Sequence, residues 1–113
     1  NRFAGAYPHT VHLWKDAVIQ KRLEALLGSA MPAFVENMKV QGPLMKDAGV
    51  FYVTGNKPHQ GGLDNAVFLA DPATDTLAVI LYAKGARQNF KEGGRDVALP
   101  AEVLTMIGNM ERP

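Results

Sequence analysis

Two apolar runs separated by a long polar loop occupy residues 50–70. The runs are Val50-Phe51-Tyr52-Val53 and Ala66-Val67-Phe68-Leu69-Ala70, and between them stands Thr54-Gly55-Asn56-Lys57-Pro58-His59-Gln60-Gly61-Gly62. Runs rich in β-branched and aromatic residues, bounded by glycine and other turn residues, are typical of strands. Two linking residues are enough for a tight hairpin, and this connection is far longer. The sequence therefore predicts two neighbouring strands joined by a protruding loop.

The composition of this loop is unusual for a passive connection. Pro58 fixes its own φ and favours an extended Lys57. Gly55 and Gly61-Gly62 can supply positive φ at the two ends of the loop. A cation and the imidazole of His59 remain at the tip. Because binding residues concentrate on loops held by a rigid sheet, we interpret the tip as a binding element, the alternative being a connecting loop whose histidine has no role.

The chain before residue 50 predicts two helices and a weak strand. Thr10 is placed to cap a helix from about Val11 to Leu27, whose apolar residues fall mostly on one face and which ends at Gly28. Met31–Val35 predicts a single helical turn with Pro32 near its start, an extended segment being the alternative. Val40–Met45 predicts a weak edge strand interrupted at Gly42-Pro43.

The chain after residue 50 predicts more strands and a final helix. Asp47-Ala48-Gly49 and Asp71–Asp75 have turn composition, and Thr76–Ala83 predicts a strand. Lys84–Gly94 is polar and glycine-containing, and we expect a mobile loop there. Leu99–Gly108 predicts a short helix whose apolar face covers the sheet. The expected fold is a single α+β domain over residues 1–113, an antiparallel meander flanked by helices.

Composition excludes several classes of function. The 113 residues carry a formal net charge of +1, without the clustered Lys and Arg of a nucleic-acid footprint; Lys84, Arg87 and Lys91 are the nearest to a cluster. The chain has no cysteine, which excludes disulfides, thiolate metal sites and cysteine nucleophiles. No apolar run approaches the roughly 18–20 residues of a membrane span. The chain begins at Asn1 and shows no signal peptide, so we expect a mature or trimmed form.

Catalytic equipment is sparse in the sequence. The histidines are His9, His12 and His59, without an evident third metal ligand near the first two, so we expect no metal and no cofactor. Ser29 is the single serine and follows a predicted helix end. No carboxylate pair forms an acid/base dyad. The sequence therefore favours a binding protein over an enzyme.

Two motifs resemble the inhibitor of vertebrate lysozyme family, known as Ivy. The first is Lys57-Pro58-His59 on a loop between matching strands, and the second is Met31–Val35, which resembles that family's leucine-proline-x-tryptophan-valine segment. The resemblance covers roughly Lys21–Tyr82 and is looser in the C-terminal third. This chain differs from the family at one place. The family's loop reads Cys-Lys-Pro-His-x-Cys with a disulfide, whereas Asn56 and Gly61 stand at the cysteine positions here.

The resemblance implies a periplasmic bacterial protein, often a homodimer, that inserts the loop into the substrate cleft of a c-type lysozyme or a related peptidoglycan-cleaving glycosidase. In the family the motif's histidine reaches the catalytic carboxylates of the enzyme. The resemblance implies the same role for His59. Without the disulfide, we expect Pro58, the glycines and hydrogen bonds from Asn56 to its own backbone to order the loop. The implied partner-binding residues are Asn56, Lys57, Pro58, His59, Gln60 and Gly61.

Three alternatives remain open at this point. The target could be a lytic transglycosylase of the bacterium's own, or a rival's muramidase against which the protein confers immunity. The chain could also be a non-inhibitory structural or binding module that keeps the fold.

Overall fold

The described residues form six strands and three α-helices. The computed structural model describes residues 17–38, 40–42, 44–56, 64–83 and 86–110. The helices are α1 (Ala17–Leu27), α2 (Met31–Asn37) and α3 (Ala101–Met110), with short 3-10 helices at Gly28–Ala30 and Glu92–Gly94. The strands are β1 (Val40–Gln41), β2 (Met45–Asp47), β3 (Val50–Asn56), β4 (Asn65–Asp71), β5 (Thr76–Ala83) and β6 (Ala86–Lys91).

The strands form one antiparallel sheet in the order β1-β3-β4-β5-β6. β2 pairs with β3 as well, along its first half, while β1 pairs with its last two residues. β3 to β6 are consecutive in sequence and in space, so they form a meander. The predicted α+β fold with an antiparallel meander is confirmed.

The first two helix predictions hold over the described residues, whereas the last helix begins at Ala101, after Pro100, and continues past Gly108 to Met110. α1 ends at Leu27, and Gly28 follows with a φ of +53°, the left-handed conformation that ends many helices. Residues 10–16, which include the predicted cap Thr10, lie outside the described residues. The predicted helical turn at Met31–Val35 is confirmed, and it extends to Asn37 with Pro32 in its first turn.

The weak strand predicted over Val40–Met45 is present as two short strands, β1 and β2, on either side of the interruption. A two-residue turn, Ala48-Gly49, then joins β2 to β3, with φ of +53° and +81°. Positive φ at both central residues is the type I′ turn, whose twist matches that of the strands it joins.

The prediction of a mobile loop over Lys84–Gly94 is wrong, because most of this segment forms β6 and a 3-10 helix. β6 pairs with β5 from Ala78↔Lys91 to Ala83↔Ala86. Its side chains are exposed apart from the half-buried Phe90, as suits an edge strand, so the run looked like a loop. The composition of β6 does not favour a strand, and the strand forms because it pairs with the buried β5.

The two faces of the sheet hold separate apolar cores. Under α1 and α2 lie alternate strand residues such as Val53, Phe68 and Val79, packed with Leu23 and Phe34. The opposite face carries the intervening strand residues, and α3 and the segment before it pack on them through Val103 and Val97. The strand residues of this second core are Val50, Tyr52, Val67, Leu69, Ala78, Ile80 and Tyr82. The prediction that the last helix covers the sheet is confirmed, and α3 covers the face opposite α1.

Polar contacts fix α3 to the first hairpin. The Asp47 carboxylate accepts a hydrogen bond from the Ala101 amide at 3.2 Å, at the first turn of the helix. The hydroxyl of Tyr52 donates to Glu102 at 2.7 Å. Burial, with that contact to a carboxylate, raises the pKa of Tyr52 to about 12. The β2–β3 hairpin therefore determines where α3 begins.

An ion-pair network joins α1 to the end of the sheet that holds the β4–β5 turn. The Arg22 guanidinium donates to Glu92 at 2.6 Å and 3.0 Å, and to the carboxylate and carbonyl of Asp75 at 3.0 Å and 2.9 Å. Glu92 also accepts from the Leu77 amide at 2.8 Å. The bonds from Arg22 hold the pKa of Glu92 below its usual value.

Candidate functional site

The candidate loop leaves the sheet from its interior rather than from an edge strand. Asn56, the last residue of β3, is the partner of Val40 on one side and of Asn65 on the other. Residues 57–64 connect Asn56 to Asn65. Opposed residues of antiparallel strands stand about 4.5–5.5 Å apart, so the two ends of the loop lie close together.

The structure describes one of the six predicted partner-binding residues. Asn56 is the final residue of β3. Lys57, Pro58, His59, Gln60 and Gly61 lie outside the described residues, and their roles stay predictions. The loop is also shorter than the sequence indicated, because Thr54, Gly55 and Asn56 belong to the strand.

We call the described residues around the two ends of the loop the loop base: Gly55, Asn56, Asp64, Asn65 and Tyr82, with Asn37 and Met38 above them. Asp64 is 7% exposed and Tyr82 is fully buried. Tyr82 on β5 is the cross-strand partner of Asn65. The loop base is therefore a partly buried region where three central strands meet, a support of the kind that binding loops use.

Asn37, at the C-terminal end of α2, ties this helix to two strands of the loop base. Its amide nitrogen donates to the carbonyl of Tyr82 at 2.8 Å and to that of Asn65 at 3.2 Å. The side chain is 3% exposed, so these bonds form away from water. Sequence reasoning missed Asn37; the available signal was a poor helix former near the end of a helical segment.

Gly55 has a different role from the one predicted. It lies inside β3 and is not among the positive-φ residues of the described chain. A Cβ at Gly55 would stand 2.6 Å from the Met38 Sδ and 2.9 Å from the Asn37 carbonyl oxygen. Gly55 is therefore required for the close approach of the α2 end to β3, not for loop bending.

The family model for "inhibitor of vertebrate lysozyme (Ivy)" matches residues 18–113. The chain belongs to the Ivy family. The match extends beyond the motif resemblance of Lys21–Tyr82 and includes β6 and α3. No curated protein and no solved structure matches the chain. The Ivy family is a family of lysozyme inhibitors.

Of the three cationic residues that come nearest to a cluster in the sequence, the structure describes Arg87 and Lys91, and these two stand apart on β6 of this Ivy domain. Arg87 pairs with Tyr82 and stands at the loop end of β6, whereas Lys91 pairs with Ala78. They are four positions apart along the strand, which corresponds to about 13 Å. The ammonium of Lys91 contacts Asp96, and this contact lowers the pKa of that carboxyl. Of the two, Arg87 alone stands beside the loop base.

A cavity of about 310 Å³ opens on the α3 face of the Ivy domain. Its lining includes the apolar side chains of Leu69, Ile80, Val97 and Ile107, and the exposed polar residues of β6 stand along its rim. This cavity lies between α3 and the edge strand, whereas the loop base lies under α2.

Within the described residues, no group of three or more His, Cys, Asp or Glu side chains could hold a metal ion. The three histidines lie outside those residues. No described helix has the length and apolar character that crossing a bilayer demands.

Proposed function

We propose that the protein inhibits c-type lysozyme by placing the loop of residues 57–64 in the enzyme's substrate cleft, with His59 at the tip. Membership of the Ivy family supports the lysozyme target. The observation that carries the loop assignment is its origin: it leaves from between central strands of a buried sheet, at a base held by α2.

The chemistry of the target agrees with the chemistry of the loop. Glycosidases of the lysozyme type place two carboxylates in a cleft. A competitor that enters such a cleft must be convex and must offer hydrogen-bond donors. The imidazole of His59 donates from one nitrogen when neutral and from both when protonated. Lys57 adds a positive charge that is attracted to an acidic cleft rim.

The loop base supports this mechanism energetically. A loop that becomes ordered only on binding loses conformational entropy at that moment, and affinity falls accordingly. Here the two ends of the loop are paired with each other, and one of them is also paired with β1. Part of the ordering is therefore complete before the partner arrives.

The test is lysis of cell-wall suspensions by a c-type lysozyme, with wild type, His59→Ala and Lys21→Ala as inhibitors. Charge-assisted hydrogen bonds are worth roughly 1.5–3 kcal/mol, so His59→Ala should raise the inhibition constant about tenfold or more. Lys21 is an exposed residue of α1 outside the loop, and Lys21→Ala is the control that should change the inhibition constant by less than about threefold. Equal inhibition by wild type and His59→Ala would refute the assignment of the tip.

The same variants are assayed in parallel against a lytic transglycosylase. Inhibition of that enzyme alone would move the function to the control of the bacterium's own wall turnover. Inhibition of neither enzyme would leave a binding module with the Ivy fold.

A periplasmic location and a homodimeric state are part of the proposal, and both come from the family resemblance. Light scattering after size-exclusion chromatography tests the second. A mass of about 12.3 kDa at assay concentration would show a monomer and exclude the dimer.

A further inference from the structure

The residues that bracket the loop of this chain are strongly held. The Asn37 side chain reaches both the outgoing end of the loop, at Asn65, and the next strand, at Tyr82. We infer that Asn37 is a positioning residue for the loop, because it fixes the two strands from which the loop's outgoing end is held. This inference rests on the proposed inhibitory role of the loop.

The placement of the two acceptors gives the first step of the argument. Asn65 and Tyr82 are cross-strand partners at the last pair of the β4–β5 ladder. At the end of a ladder, backbone carbonyls need a hydrogen-bond donor from outside the sheet. The buried amide group of Asn37 donates to both carbonyls. No buried side-chain nitrogen or oxygen of the described residues lacks a hydrogen-bond partner. The amide therefore fixes the separation of β4 and β5 directly below the loop.

The packing of the helix end on β3 gives the second step. Gly55 immediately precedes Asn56, and its missing side chain lets the Met38 Sδ and the Asn37 carbonyl come close. The end of α2 thus contacts β3 through packing, and β4 and β5 through hydrogen bonds. These contacts restrain both ends of the loop, one at Asn56 and one at Asn65.

The third step connects the two motifs of the sequence. The helix that ends in Asn37 begins with the Met31-Pro32 segment, 26 residues before Lys57. Pro32 in the first turn and the buried Phe34 fix α2 on the sheet, so the amide of Asn37 arrives at a defined place. The segment at residues 31–35 therefore acts on the loop through Asn37.

The first experiment compares Asn37→Ala with Thr76→Ala. Both residues are buried and polar, and Thr76 lies at the other end of the same two strands, opposite Asp71. Both variants should lose stability, which urea unfolding measures. Only Asn37→Ala should weaken inhibition of lysozyme, by about tenfold, which corresponds to 1.4 kcal/mol. If Asn37→Ala does not fold, Asn37→Leu, which has about the same side-chain shape, no charge and no donor, replaces it.

The second experiment is a rescue. Asn56→Cys with Gly61→Cys is introduced into the Asn37→Ala protein, and inhibition is measured before and after oxidation. Oxidation should restore inhibition to within about threefold of that of the oxidised Asn56→Cys, Gly61→Cys protein in which Asn37 is intact, because the cross-link then supplies the restraint that Asn37 no longer supplies. Failure of the oxidised protein to recover, or equal losses in Asn37→Ala and Thr76→Ala, would overturn the positioning role.

Amide hydrogen exchange of the free protein separates this inference from the proposed function. Asn37→Ala should accelerate exchange at residues 55–56 and 64–66 relative to residues 76–79, whatever the partner is. If wild type and His59→Ala fail alike to inhibit lysozyme, the proposed function fails, while accelerated exchange at the loop base would still support the positioning role. Unchanged exchange there would refute it.

Discussion

Replacing Gly55 by alanine tests the contact between α2 and the sheet. The added Cβ would stand 2.6 Å from the Met38 Sδ, 2.9 Å from the Asn37 carbonyl oxygen and 3.1 Å from the Met38 Cα. Carbon atoms pack at about 3.5–4.0 Å, so each of these distances is too short. The methionine sulfur can rotate away, but the two backbone atoms move only if the end of α2 moves.

The size of the effect follows from two opposing terms. Overpacking a well-filled region costs typically 1–3 kcal/mol. Alanine also has less conformational freedom than glycine in the unfolded chain, which offsets about 0.4–1 kcal/mol. We expect a net loss of about 1–2 kcal/mol in the free energy of unfolding. For a domain of this size that corresponds to a fall in Tm of roughly 5–10 °C.

Urea unfolding of Gly55→Ala and Gly108→Ala provides the measurement and its control. Gly108 lies in α3, and a Cβ there would meet nothing within 4 Å. Because glycine in a helix interior is less favourable than alanine by about 1 kcal/mol, Gly108→Ala should be stabilised. A Gly55→Ala protein as stable as the wild type would show that α2 does not rest on β3 as described, and would remove the basis for the loop base.

Three further predictions concern other parts of the molecule. Arg22 lowers the pKa of Glu92, so the stability from this pair is complete above the ordinary value of 4.5 and is lost as pH falls through the lowered pKa. The difference in unfolding free energy between wild type and Glu92→Gln should therefore be larger near pH 7 than at about pH 3, and a constant difference would contradict the ion pair. Ala48→Asn should stabilise the protein by about 0.5–1 kcal/mol in thermal unfolding, because asparagine tolerates the positive φ of this turn better than alanine does; destabilisation would contradict the type I′ assignment. The difference in ultraviolet absorbance between wild type and Tyr52→Phe, followed as a function of pH, should show a phenol that ionises near pH 12. Because the pKa of Tyr52 is higher in the folded than in the unfolded protein, its contribution to stability should be lost as pH rises from 10 towards 12. In Glu102→Gln the same titration should move to lower pH, and an unmoved titration would contradict the hydrogen bond to that carboxylate.

Much of the fold could be read from local sequence patterns. The strand at Thr76–Ala83 has the predicted bounds, because a continuous apolar run between a turn and a polar segment has few other structures available. The helix end at Gly28 and the turn at Asp71–Asp75 were equally local, since each depends on the conformational preferences of one or two residues. The Asp71 side chain accepts a hydrogen bond from the Ala73 amide within that turn, as turn aspartates do.

The misassigned features depend on contacts between distant parts of the chain. β6 has little apolar character of its own, and its identity as a strand comes from β5 beside it. The role of Gly55 depends on a helix that ends 18 residues earlier, at Asn37. Arg22 finds Glu92 at a separation of 70 residues. No local pattern carries that information, because each contact exists only after the sheet has formed.

The candidate site divides in the same way. The loop motif Lys57-Pro58-His59 is visible in the sequence because it is contiguous and chemically distinctive. The residues that hold the loop are ordinary types, an asparagine and a glycine, and their positions in space give them their roles. Sequence motifs can therefore identify a binding tip, whereas its support requires the three-dimensional arrangement.

The position of α3 in the chain has a consequence for biosynthesis. This helix and the segment before it pack on one face of the sheet, and the helix is the last element of the described chain. Until residues 101–110 have been made, the six strands expose an apolar surface that includes Val50, Val67 and Ile80. A chain that lacks α3 would therefore be prone to aggregation, because that surface would meet water or other chains.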